Sequence, residues 1–257
     1  MKKNMLVLLV VVGSMLLSVQ AQAIILSPNI DAYVEDYERS GVLDGIPDRI
    51  SNTGALIPAK GILTAREPFS SGQAIDGRAF ISYDISPYAS RMLSSAILSG
   101  RGYRTDQREE GNLAAMFEIY EGDGLITLDD FYRSGTYLAD VDFPSYSIPF
   151  FADPDDYYDF LEANDTFFDI DVTAEMQDLL DNLADFSEFK ITTTDLSVFI
   201  YASESPYFPL DPRFADSGPR LTLNFADVGT NAVPEPATML LLGGGLLGSV
   251  WRKRKKV

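Results

Sequence analysis

Carboxylates are almost the only side chains in this sequence able to do chemistry at neutral pH. The chain has no histidine and no cysteine. That removes the usual neutral-pH base, the commonest metal ligand, and both serine–histidine and cysteine–histidine catalysis. Against 20 basic residues stand 38 acidic ones, for a net charge of −18. Clustered carboxylates suit calcium, which takes six to eight hard oxygen ligands. Two loops have that composition. One joins Asp36 and Glu38 to Asp44 and Asp48, with Gly45 permitting a sharp turn; the other holds Asp153, Asp155 and Asp156. Neither follows the EF-hand spacing, and in so acidic a chain ordinary solvated turns compete with both readings. Carboxylate pairs about 5 to 9.5 Å apart also hydrolyse glycosides. Such pairs arise by chance here, so their presence does not indicate an enzyme. A non-catalytic protein is the expectation, with a secreted polysaccharide-degrading enzyme and a calcium-dependent adhesive scaffold as the alternatives. The aromatic segments 143–151 and 206–209 are candidates for a sugar-stacking surface, although sandwich cores also consume aromatics.

What must position these groups is a set of strands. Short β-branched and aromatic runs, bounded by Gly, Pro, Asn and Asp, occur at 30–34, 79–84, 95–99, 113–120, 167–172, 188–193, 197–202 and 220–225. This spacing predicts an all-β, jelly-roll-like sandwich with one or two short helices. Ile81 and Tyr83 alternate with Ser82 and Asp84, as in a half-buried strand; Leu221, Leu223 and Phe225 alternate with Thr222 and Asn224. Met176, Leu179, Leu180 and Leu183 fall on one helical stripe with Thr173 as its cap, and a second turn is expected at 128–132 with Thr127 as its cap.

Both ends of the chain read as addresses. Lys2 and Lys3 precede an apolar run, and Ala21-Gln22-Ala23 is a small-residue cleavage site, so residues 1–23 form a secretory signal peptide. At the other end Pro234-Glu235-Pro236 precedes an apolar run from Ala237 to Trp251, then Arg252, Lys253, Arg254, Lys255 and Lys256. As a helix the run reaches roughly 22 Å, short of the ~30 Å hydrocarbon core, so the span is marginal. Trp251 suits the lipid boundary, and the five cations favour the cytoplasmic side of the inner membrane. Gly243-Gly244-Gly245-Leu246-Leu247-Gly248 formally matches a dinucleotide fingerprint, but it lies in this apolar run rather than between a strand and a helix. The order of knot, apolar run and basic end resembles the PEP-CTERM sorting signal of Gram-negative bacteria. That resemblance implies an exosortase as processing partner, transient anchoring, and a final place at the cell surface or outside the cell. Residues 1–23 and 234–257 hold seven basic residues and one acidic. Without them 13 basic and 37 acidic residues remain, a net charge of −24. A surface of that charge repels nucleic acid.

The body, residues 24–226, is followed by a polar linker at 227–233. Along the body, Asp31-Ala32-Tyr33-Val34, Arg78 to Ser86, Ser95-Ala96-Ile97-Leu98, Ile170-Asp171-Val172-Thr173, Val198 to Glu204 and Gly218-Pro219-Arg220-Leu221 come in the order of strands in DNRLRE-type domains. The body thus resembles that carbohydrate-binding-module-like sandwich. The resemblance implies association with exopolysaccharide, an expectation carried by analogy. The helix tryptophan of that family is missing, since Trp251 is the chain's only one, and no ligand residue carries over.

Overall fold

Period-two alternation is what builds this molecule, and the computed structural model describes it over residues 23–38, 42–52, 62–65, 74–104, 113–144, 159–160, 163–193, 198–201 and 218–226. Among the described residues twelve strands are formed: β1 (Ala23–Leu26), β2 (Ile30–Glu38), β3 (Arg49–Asn52), β4 (Ile62–Ala65), β5 (Ala74–Asp84), β6 (Leu93–Arg104), β7 (Leu113–Gly122), β8 (Thr136–Phe143), β9 (Thr166–Asp171), β10 (Phe186–Thr193), β11 (Val198–Tyr201) and β12 (Arg220–Phe225). The α-helix α1 spans Thr173–Asp181. One sheet runs β1-β12-β6-β11-β4, with β9 also bonded to β6; the other runs β3-β2-β5-β10-β7-β8. All strand pairs are antiparallel. The strands belong to one compact unit, residues 22–225.

The sheets share one apolar core, as an all-β sandwich requires. From the first come Ala96, Leu98, Phe168, Ile170, Val198, Ile200, Leu221, Leu223 and Phe225; from the second come Ala79, Ile81, Tyr83, Phe117, Ile119, Phe189 and Ile191. The Phe117 and Phe168 rings meet across the layers with centroids 5.0 Å apart, and Tyr83 meets Phe189 edge-on at 5.8 Å. Leu221, Leu223 and Phe225 are buried while Thr222 and Asn224 are not, as alternation predicts. Gly100 faces the Phe168 ring so closely that an added Cβ would meet it at 2.5 Å, so the close packing there requires glycine.

Three sequence expectations need correction. Ser82 is buried as fully as Ile81 and Tyr83, and so is Phe80, so this part of β5 is not half-buried. A second small core of Val34, Phe80, Tyr120 and Phe131 covers the outer face of its sheet. The covering segment includes a 3₁₀ turn at Leu128–Tyr132, where the amide and hydroxyl of Thr127 both donate to Asp130 Oδ2, at 2.7 and 3.0 Å. Next, Thr173 is the first helical residue and not the cap. Its amide and hydroxyl donate to Asp171 Oδ1 at 3.0 and 2.5 Å, while its hydroxyl accepts from the Ala96 amide at 2.9 Å. Finally, Leu183 leaves the stripe. Met176 and Leu180 are buried, but the helix ends at Asp181 and Leu183 sits at φ +61° with 62% of its surface exposed. Its amide donates to Leu180 O and that of Ala184 to Leu179 O, at 3.3 and 3.0 Å, the bonding of a Schellman end.

Candidate functional site

Three candidate places follow from this frame: a carboxylate cluster at the end of β2, a buried polar network under the 3₁₀ turn, and a polar groove beside α1. In the first, alternation along β2 sends Ala32, Val34 and Asp36 to the outer face of the sheet, and the chain then turns back over Asp36. The Gly45 amide donates to Asp36 Oδ2 at 2.9 Å, the Tyr37 amide to Asp48 Oδ2 at 2.7 Å, and the Ile46 amide to Asp44 Oδ1 at 2.9 Å. Gly45 has φ +78°, a left-handed conformation that glycine takes without strain. The Asp48 amide closes the loop on Glu35 O at 2.8 Å, and the Tyr132 hydroxyl donates to Gly45 O at 2.6 Å, fastening the loop to the 3₁₀ turn.

This folding brings together one carboxylate oxygen each from Asp36, Glu38 and Asp48, all within 4.8 Å of one another. Two of the three aspartates expected in this loop therefore meet. Asp44 caps its own turn and is replaced in the cluster by Glu38, whose position two residues along β2 places it on the same face as Asp36. Asp36 is 1% exposed and its Oδ1 is buried with no hydrogen-bond partner. Burial raises its pKa above the ordinary value. The Gly45 amide works against that rise, and the charges of Asp44, Asp48 and Asp76 add to it. The arginines of the paired strands are engaged elsewhere. Arg49 binds Glu35 at 2.6 Å and lies over the Tyr37 ring, and Arg78 pairs with Asp76 at 3.3 Å and lies over Phe131. Asp153, Asp155 and Asp156 lie outside the described residues.

In the second place, Glu188 is fully buried, with Oε1 accepting from the Gly124 amide at 3.2 Å. Desolvation raises its pKa, and Asp130 and Asp123 add to that rise, while Tyr120 and Gly124 oppose it. Burial, with Glu188 beside it, likewise pushes the Tyr120 hydroxyl well above its ordinary range. Lys190 pairs with Glu118 at 2.7 Å and donates to Arg133 O. Glu188 opens the strand expected at 188–193, and no local pattern separates a buried carboxylate there from a solvated one.

The third place is an open groove of about 530 Å³ between α1 and the β7–β8 hairpin, where Glu121, Ser134, Thr136, Glu175 and Asp178 supply the polar lining. None of the carboxyl groups with raised pKa lines it. Of the expected aromatic surface, Phe143 is fully buried in the main core, and 145–151 and 206–209 lie outside the described residues. Among the described residues no helix is long and apolar enough to cross a membrane. The signal-peptide residue Ala21 and the tail residues Pro234, Glu235, Pro236 and Trp251 to Lys256 lie outside them. Ala23 is described and opens β1, paired with Asn224.

No curated protein matches the chain. Residues 232–255 match the family profile of the PEP-CTERM protein-sorting motif, so the chain carries the signal of a protein exported across the membrane to the cell surface and sorted by an exosortase.

Proposed function

We propose that this is a non-catalytic component of the cell envelope or extracellular matrix, held at the inner membrane by its tail until an exosortase trims it, and associated afterwards with exopolysaccharide. The match at 232–255 carries the sorting half of this reading. The physical character of the tail supports the anchoring. The run from Ala237 to Trp251 is too short for a comfortable span, and the five cations after it hold the end in the cytoplasm. A marginal anchor suits a segment destined for removal.

The non-catalytic reading is supported by where the unusual carboxyl groups sit. Glu188 and Asp36 have raised pKa values, as a general acid would, but they are 0% and 1% exposed and so closed to substrate. The polysaccharide reading is supported by the groove, whose hydroxyl and carboxylate lining suits a polyhydroxylated ligand. It also rests on the likeness of the body to DNRLRE-type sandwiches. Mass measurement of the extracellular protein tests the sorting. The expected product lacks Lys253 to Lys256, and Pro234→Ala with Glu235→Ala leaves the full tail on membrane-bound protein. An extracellular product that keeps its final lysines would sink the reading.

A further inference from the structure

We propose that Asp36, Glu38 and Asp48 hold a divalent cation of the calcium type, which locks the 42–48 loop onto the end of β2. Two independent observations carry this. The first is convergence: three carboxylate oxygens within 4.8 Å of one another match the span across a cation whose ligands stand about 2.3–2.6 Å from its centre. The second is Asp36 itself. It is 1% exposed, and its Oδ1 is buried without any hydrogen-bond partner. A buried carboxylate oxygen left unpaired is costly, and a cation at the cluster supplies the missing interaction.

Among the described residues the charge balance points the same way. Arg49 and Arg78 are committed to Glu35 and Asp76, while Asp44 and Asp76 add further negative charge around Asp36. All the donors are carboxylate oxygens, and the chain has no histidine or cysteine, so the set selects hard cations over zinc or copper. The loop that supplies Asp48 is bonded through Gly45 O to Tyr132. Cation binding therefore reaches the 3₁₀ turn and the small core of Val34, Phe80, Tyr120 and Phe131 beneath it. The lock stands whatever becomes of the sorting tail.

The test uses the full chain in mild detergent, stripped with chelator and titrated with calcium chloride by calorimetry, with thermal unfolding followed in parallel. One binding event and a rise in Tm are expected, with magnesium weaker. Glu38→Gln and Asp48→Asn should each weaken binding at least tenfold, while Asp142→Asn, on β8, leaves it unchanged. Asp36→Asn should abolish binding. Because that variant changes a buried position, its circular dichroism is compared with that of the wild type, and the Glu38 and Asp48 variants decide if it does not fold. Absence of calcium binding, or binding unaltered in Glu38→Gln and Asp48→Asn, overturns the proposal. The second result would place the cation elsewhere, at the Asp153–Asp156 run for example.

Discussion

Glu188 lies under the 3₁₀ turn with its carboxyl against Tyr120 and Asp130, and it is the residue whose chemistry the fold changes most visibly. A folded state that raises a carboxyl pKa binds more protons than the unfolded chain. Its stability therefore falls as pH rises from the unfolded pKa through the folded one. For Glu188 the window opens near its ordinary value of 4.5, and Asp36 acts in the same direction from 3.8. In chelator, the urea midpoint is expected to rise as pH is lowered from neutrality toward that range. Relief of the general repulsion in so acidic a body contributes to the same slope, so a variant must isolate the residue. Glu188→Gln keeps an oxygen for the Gly124 amide and removes the buried charge. It should raise the midpoint at neutral pH and flatten the slope; an unchanged slope would show that Glu188 is not responsible.

At the scale of elements, α1 shows how a local rule is set aside. Its stripe continues to Leu183 in the sequence, yet the chain must turn back at Ala184 to enter β10, so Leu183 takes the left-handed position where helices usually place glycine. A left-handed backbone costs a non-glycine residue roughly 1–2 kcal/mol, and the exposed leucine side chain recovers little packing there. Leu183→Gly should therefore stabilise the protein by about 1 kcal/mol, read as a higher urea midpoint at an unchanged slope against denaturant. Loss of stability would mean that the leucine makes a contact worth more than the strain. At the other end of α1, Thr173 ties the first turn to β6 through the Ala96 amide, a role no cap rule foretells.

At the scale of the whole molecule, the first and last described strands lie side by side. Ala23 pairs with Asn224, so the first and last strands are neighbours in one sheet. A cut after Ala23 leaves Ile24, Ile25 and Leu26 in register with Leu223, Thr222 and Leu221. Removing both ends changes the net charge from −18 to −24, because seven basic residues and one acidic residue leave with them. A partner polysaccharide must therefore be neutral, or bridged by cations, to escape repulsion. The groove beside α1 makes this testable by affinity electrophoresis in gels containing the producer's neutral exopolysaccharide. Retardation is expected, and it should weaken in Glu175→Ala with Asp178→Ala; free migration of the wild type would end the polysaccharide reading.

The sequence alone determined whatever depends on neighbours along the chain. Alternation within 220–225 named the buried residues Leu221, Leu223 and Phe225, Thr127 announced the 3₁₀ turn, and Pro234-Glu235-Pro236 with its apolar run and cations announced the sorting tail. Only the tertiary structure decided what depends on strands meeting across long separations. It chose Glu38 over Asp44 as the third carboxylate, covered the outer face of β5 with the 123–133 segment, sealed Glu188 beneath it, and drew Phe143 into the core. Local patterning fixes which way a side chain leaves its own strand. Burial and charge are set by what is laid over that face, and here the covering chain comes from dozens of residues away.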